Sequence, residues 1–151
     1  MKRLSIITEA RNGVWLPQGG RGGVRGLIVG IGLDIVAVER IARSVRDGGG
    51  RFEELAFTPA EIAACGSRGD RAQALAARFA AKEACFKALG TGWARGVSFE
   101  QVEVVSKDGG QPELRLTGHA AERAAALGVR HVHVTLCHEH DVAAAVVVLE
   151  T

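Results

Sequence analysis

The sequence predicts an α+β domain, a mainly antiparallel sheet packed with helices, and three observations carry the expectation. Apolar residues recur at helical spacing between Asp70 and Gly90 and alternate at strand spacing in the last third of the chain. Helical and hairpin patterns are interspersed with little of the strand–helix regularity of a parallel sheet. The chain has 151 residues, 47% of them hydrophobic and 24% charged, enough for one domain with a real core and typical of a soluble globular protein.

Residues 1–26 differ from the rest. Lys2, Arg3, Arg11, Arg21 and Arg25 face one acid, Glu9, and Gly19-Gly20-Arg21-Gly22-Gly23 cannot hold a regular element cheaply. No continuous apolar region or small-residue cleavage site follows the basic start, so it does not read as a secretion signal. The expectation is a flexible basic extension over 1–26 and one domain over 27–151.

Leu27 to Leu33 is apolar apart from Gly30 and Gly32, which suits a buried strand with Asp34 at its end. Ile35, Val38, Ile41 and Val45 then repeat at helical spacing, so Asp34 reads as a helix cap or as a ligand presented at a strand end. Gly30-x-Gly32 lacks the third glycine of a dinucleotide loop. The helix carries Arg40, Arg43 and Arg46 on one broad side, either a solvated face or a docking stripe for an acidic partner. Thr58-Pro59-Ala60-Glu61 starts a short helix that runs to Cys65.

The central helix starts near Asp70, a good N-cap residue, and stops at Gly90. Leu75, Phe79, Phe86 and Leu89 form a narrow stripe, and nearly every other position is alanine. Small residues on several sides predict close neighbours, which would hold Arg78, Lys82, Glu83 and Lys87 against protein or ligand. Glu83 and Lys87 at i, i+4 also form an ordinary helix ion pair. Beyond Gly92, Val102–Val104 and Leu114–Leu116 predict a hairpin around the turn Lys107 to Pro112, followed by a helix from Thr117-Gly118 to Leu127-Gly128. Val132, Val134 and Leu136 mark one strand face, His138 to Asp141 a polar turn, and Val142 to Leu149 a buried final strand.

Several classes are excluded. No apolar run approaches membrane-spanning length. A net charge of +2 without an aromatic stacking pattern gives no case for nucleic acid. Cys65, Cys85 and Cys137, odd in number and widely spaced, read as reduced thiols of a cytoplasmic protein.

Asp34 and Glu83 together are the carboxylate pair a magnesium-dependent phosphate enzyme needs, since Mg²⁺ takes one or two carboxylates plus substrate phosphates. Lys82 or Lys87 could neutralise further phosphate oxygens, Arg78 adds a bidentate fork, and Gly90-Thr91-Gly92 offers unobstructed backbone N–H groups. The competing class is a zinc-binding module drawing on His131, His133, Cys137, His138, His140 and Asp141, although no Cys-x-x-Cys pair exists.

Arg78-Phe79-Ala80-Ala81-Lys82-Glu83-Ala84, then Lys87 and Gly90-Thr91-Gly92, resembles the signature of holo-acyl-carrier-protein synthases, the small 4'-phosphopantetheinyl transferases. Gly30-Ile31-Gly32-Leu33-Asp34-Ile35-Val36 with Arg40-Ile41, and Val132 to His138, match in the same order, so the resemblance runs from about Ile28 to Glu150. It implies a 4'-phosphopantetheinyl transferase-like fold, Asp34 and Glu83 as Mg²⁺ ligands, and Arg78, Lys87 and His138 contacting coenzyme A or lining the site. The implied reaction is attack by a serine hydroxyl of apo-acyl-carrier protein on the β-phosphate of coenzyme A, releasing adenosine 3',5'-bisphosphate. Glu83, a metal-bound water or His138 would serve as base. The resemblance also implies a homotrimer with sites between subunits. Many members carry tyrosine where this chain has Val142. A carrier-protein-binding module without catalysis would use the arginine stripe but have no reason to keep both acids.

Overall fold

The computed structural model describes residues 10–11, 14–15, 26–66, 68–92, 96–106 and 110–151. Apart from a short ladder between β1 (Ala10–Arg11) and β2 (Val14–Trp15), the expected extension lies outside the described residues. The elements that follow are β3 (Ile28–Ala37), α1 (Val38–Asp47), α2 (Arg51–Ala56), α3 (Pro59–Gly66), α4 (Arg71–Leu89) and a 3₁₀ turn (Phe99–Gln101). The chain continues through β4 (Val102–Ser106), β5 (Pro112–Leu116), α5 (Gly118–Ala126), β6 (His131–Glu139) and β7 (Val142–Glu150). The main sheet is antiparallel with order β3-β7-β6, and β4 and β5 form a separate hairpin. The fold is α+β, as expected.

α4 is the centre because both its sides are buried. Toward the sheet it presents alanines, and β3 answers with glycines: a Cβ on Gly32 would stand 1.8 Å from the Ala84 carbonyl oxygen, and one on Gly30 2.2 Å from that of Ala88. Helix and strand therefore touch backbone to backbone, which explains the Gly30-x-Gly32 spacing without any nucleotide. On its other side α4 presents Phe79, stacked with Phe99 at a ring-centroid distance of 5.0 Å, and Phe86, tilted 59° to the Phe99 ring at 5.1 Å. Phe52 and Phe57 extend this cluster, so all five phenylalanines of the chain share one core. Full burial of each such side chain contributes about 1.5–3 kcal/mol. Gly90 ends the helix in the left-handed region at φ 68°.

Three expectations change. β3 does not end at Leu33 but runs on to Ala37, so Asp34 is a mid-strand residue rather than a helix cap. Nor is β3 buried on both faces: Ile31, Leu33 and Ile35 are 63%, 52% and 64% exposed. Likewise β6 continues through His138 to Glu139, and the turn is confined to His140 and Asp141, with His140 at φ 50°. In each case cross-strand pairing with β7 extends the strand through residues whose polarity suggested a break.

Candidate functional site

Strand alternation decides where Asp34 points. Gly30, Gly32, Asp34 and Val36 share the face of β3 turned to α4, whereas Ile31, Leu33 and Ile35 face away. Lys87 of α4 meets Asp34 there: its Nζ donates to Asp34 Oδ1 at 2.8 Å and to the Leu33 carbonyl at 2.9 Å. The half-exposed lysine thus pairs across to the strand; the Asp34 side chain is only 17% exposed. Glu83 lies one turn before Lys87 on the same flank, half-buried. Asp34 and Lys87 therefore meet where glycine and alanine bring the two backbones together, with Glu83 one helical turn before Lys87.

The opposite flank of α4 carries different chemistry. Five residues at 100° each put Arg78 about 140° around the helix from Glu83. Arg78 faces a cavity of about 200 Å³ that is also lined by Arg68, Ser106, Pro112, Leu136 and His138. Its Nη1 donates to the Ala74 carbonyl at 3.2 Å, while its buried Nε has no hydrogen-bond partner among the described residues. A buried donor left unsatisfied is costly, and an anion in the cavity would relieve it. Arg68 grips Asp70 through Nε at 2.7 Å and Nη2 at 2.6 Å, and His138 Nε2 lies 3.5 Å from the same carboxylate. The Arg68 hydrogen bonds hold the Asp70 carboxyl below its usual range. Asp70 thus precedes α4 as expected, but its side chain makes no cap and instead orients Arg68 and His138. Sequence reasoning passed over Arg68, which stands in an irregular stretch without periodic signal.

Lys82 takes a role other than the one expected of it. It is fully buried, with Nζ 2.7 Å from Glu61 Oε2, 2.9 Å from the Phe99 carbonyl and 5.5 Å from the centre of the Phe57 ring. Burial pushes its amine down, against the pull of the Glu61 charge. Such a group cannot reach a phosphate, so Lys82 is withdrawn from the coenzyme contacts. The Glu61 carboxylate also accepts from the Thr58 and Val104 N–H groups at 2.8 and 2.9 Å, and the Glu61 N–H donates to Thr58 Oγ1 at 3.3 Å. This is a capping box whose spacing was legible as Thr58-x-x-Glu61; its ion pair with Lys82 was not.

The glycine loop is likewise partly committed. The Gly90 N–H donates to the Lys87 carbonyl and the Thr91 N–H to that of Phe86, both at 3.1 Å, so these two N–H groups close the helix rather than cradle phosphate. Gly92 follows at φ 53°. On α1, Arg40 and Arg43 are exposed, while Arg46 pairs with Glu39 at 2.8 Å. The histidines divide by strand parity: His138 faces inward to the cavity, and His131, His133 and Cys137 face outward. His140 pairs with Glu139 at 2.6 Å. Among the described residues no group of three or more His, Cys, Asp or Glu is placed to hold a metal ion. No helix among them is long and apolar enough to cross a membrane. Burial pushes the Cys85 thiol up to about 12, leaving it inert at neutral pH.

A strand-borne acid, a helix-borne acid with its lysine, and an arginine cavity on the far flank of that helix are found against a clear family background. Residues 30–147 match the 4'-phosphopantetheinyl transferase superfamily. The holo-[acyl-carrier-protein] synthase of Maridesulfovibrio salexigens is 47% identical over 124 residues, covering 82% of this chain and 99% of that protein. That of Halorhodospira halophila is 48% identical over 125 residues, covering 83% and 99%. Among solved structures, the holo-[acyl-carrier-protein] synthase of Neisseria meningitidis superposes with TM-score 0.76 at 35% identity over 83% of this chain and 100% of that one. The Helicobacter pylori synthase in complex with coenzyme A gives 0.70 at 30% identity, covering 79% and 98%. The chain belongs to the 4'-phosphopantetheinyl transferase superfamily and, within it, to the holo-[acyl-carrier-protein] synthases.

Proposed function

We propose that this protein transfers 4'-phosphopantetheine from coenzyme A to a serine of an apo-acyl-carrier protein in the cytoplasm, releasing adenosine 3',5'-bisphosphate. The observation that carries the reading is the division of chemistry between the two flanks of α4, carboxylates and Lys87 by Asp34 and an arginine cavity by His138. In the reaction the serine oxygen forms a bond to the β-phosphorus as the bond to the bridging oxygen breaks. The serine proton passes to a base, and adenosine bisphosphate leaves with the bonding electrons.

Arg78 and Arg68 bind phosphate charge of the coenzyme, with His138 in the wall of the same cavity. Gly92, in the left-handed region at φ 53°, offers the coenzyme a stretch of backbone without a side chain beyond the end of α4. Lys87 neutralises the transferring phosphate. Glu83 and His138 are the two side chains able to take the serine proton. Asp34 and Glu83 form an all-oxygen donor set suited to a hard cation, and the Lys87 ammonium seated on Asp34 supports the reading of this position as one that draws positive charge. They would hold Mg²⁺, which when bound supplies charge neutralisation for the pyrophosphate. Arg40 and Arg43, with Arg46, offer the acidic carrier protein a docking stripe on the helix that leaves β3.

We further propose a homotrimer with shared sites. The Asp34 half-site lies at one edge of the sheet and the His138 half-site at the other, with α4 between them. The sheet face away from α4 is a bare apolar array, its rows Ile31–Val148–His133, Leu33–Val146–Thr135 and Ile35–Ala144–Cys137. A head-to-tail cyclic assembly over this face would cover it and bring the Asp34 edge of one copy to the His138 edge of the next. Residues 1–26 stand outside the transferase domain, 27–151, as a basic extension.

The test is mass spectrometry of an apo-carrier protein incubated with this protein, Mg²⁺ and coenzyme A, run with the full chain and with one lacking residues 1–25. Both should add phosphopantetheine to the carrier serine. A carrier that keeps its mass under both conditions would refute the transferase reading.

A further inference from the structure

Two arginines line the cavity on the far flank of α4, and the fold fixes them by different means. Arg78 stands inside the helix, its Nη1 tied one turn back to the Ala74 carbonyl at 3.2 Å. Arg68 has no such element beneath it. It lies between α3 and α4, with Gly66 and Gly69 close on either side. Its N–H donates to the Cys65 carbonyl at 3.3 Å, a backbone bond that does not direct the side chain. The side chain is directed by Asp70, whose carboxylate accepts from Nε at 2.7 Å and from Nη2 at 2.6 Å.

The edge that Asp70 takes decides which edge is left. A guanidinium carries five N–H groups in a planar fork. Asp70 occupies the Nε–H and one N–H of Nη2, so the second N–H of Nη2 and both of Nη1 remain for another acceptor, and among the described residues they have none. Such an edge matches two oxygens of a phosphate with parallel bonds. Arg68 lines the cavity and Asp70 does not, so the carboxylate balances the guanidinium without filling the space a phosphate needs. The same Asp70 Oδ2 lies 3.5 Å from His138 Nε2, joining the Arg68 wall of the cavity to its β6 wall.

We propose that Asp70 is a positioning residue for the coenzyme, gripping one edge of Arg68 so that the other edge stands ready for a phosphate group in the cavity shared with Arg78 and His138. The proposal deepens the transferase reading above and rests on it. Asp70 itself touches no ligand. Its contribution is order: a free arginine loses rotamer freedom when it binds, and one already clamped does not. Most half-exposed ion pairs do little, but a bidentate arginine–carboxylate pair is the geometry in which they matter.

The charge of Asp70 pulls the other way. A carboxylate near an anion site repels the anion, so removing it would tighten binding if Asp70 did nothing else. Salt screens that repulsion at a half-exposed position, whereas ordering a long side chain on binding costs up to about tenfold in affinity. Ordering therefore wins, and the sign of the change separates a clamp from a mere competitor for Arg68.

Calorimetric titration of coenzyme A into the full chain, into D70N and R68M, and into the double variant tests the clamp. The Asp70 side chain makes no helix cap, so D70N should leave Tm unchanged. It should raise the Kd about fivefold, R68M at least as much, and D70N in the R68M background less than about twofold, because the clamp then has nothing to hold. D70E, which keeps the carboxylate, should recover most of the affinity. In transfer assays the D70N change should appear in KM for coenzyme A, with kcat within about twofold. A Kd unchanged or lowered in D70N overturns the proposal, as does an undiminished effect in R68M. A fall in kcat at unchanged Kd also overturns it, moving Asp70 from Arg68 to His138. Binding with no transfer by the wild type refutes the enzymatic reading while the clamp is still measured; a wild type that binds no coenzyme A refutes both.

Discussion

The two faces of the β3-β7-β6 sheet are built from the same strands and behave oppositely. Toward α4, β3 shows Gly30, Gly32, Asp34 and Val36; away from it, Ile31, Leu33 and Ile35. The inner face gives up side-chain volume so that a helix can lie against the strand backbone, and that closeness lets Lys87 reach Asp34. The outer face keeps its volume, and Ile31, Leu33 and Ile35 on it stay more than half exposed among the described residues. The proposed chemistry belongs to the face stripped of side chains, and the proposed assembly to the face that retains them.

The sharpest way to break the comparison is to add one methyl group on each side. Gly32→Ala puts a Cβ into the Ala84 carbonyl, where only backbone can yield, and should cost more than about 3 kcal/mol, read as a large fall in Tm or as no soluble protein. Its neighbour Ile31→Ala lies in the open and should move the stability of the isolated chain by less than about 0.5 kcal/mol. Equal costs at the two positions would mean that the faces do not differ as described.

Lys82 and Glu83, adjacent in sequence, sharpen the contrast between a charge that builds the fold and one that serves the site. Lys82→Met leaves Glu61 buried without its partner and should cost about 3–5 kcal/mol, while Lys82→Met with Glu61→Leu should restore most of that stability. Denaturant titration of the three proteins gives the comparison. Glu83→Gln and Asp34→Asn should instead leave Tm nearly unchanged and lower kcat at least about 100-fold, a loss near 2.7 kcal/mol of transition-state stabilisation. Near-normal turnover in either at saturating Mg²⁺ would remove that residue from the metal-binding pair.

The smallest expected effect lies at the rim. Arg40→Glu should raise KM for the carrier protein several-fold, about 1 kcal/mol, with little change in KM for coenzyme A and a weaker salt dependence. Equal changes for both substrates would move Arg40 into the coenzyme site.

Much of the architecture was legible because local signals were strong. Thr58-Pro59 and Gly90 bracket α3 and α4 at one end each, and valine and leucine alternation marks β4 to β7. The short helix α2 was missed: three glycines precede it and its six residues are too few for a period to emerge. Asp34, Glu83, Lys87, Arg78 and His138 were all nameable from motif and resemblance, but their grouping was not. Helical spacing puts Arg78 and Glu83 on different flanks of one helix, but no spacing rule says that Lys87 reaches Asp34 on a strand 53 positions earlier.

By itself the sequence determined the composition of each element: where helices stop, which strands are amphipathic, and that one alanine-coated helix meets neighbours on several sides. The tertiary structure alone decided what each charge does. Lys82 and Lys87 are both lysines on α4, five positions apart, and sequence cannot rank their burial. The fold sends Lys82 into the phenylalanine core against Glu61 and Lys87 to the glycine-lined strand against Asp34. The reason is physical: a side chain's function follows from the dielectric and the partners around it, and those are set by elements far away in the chain.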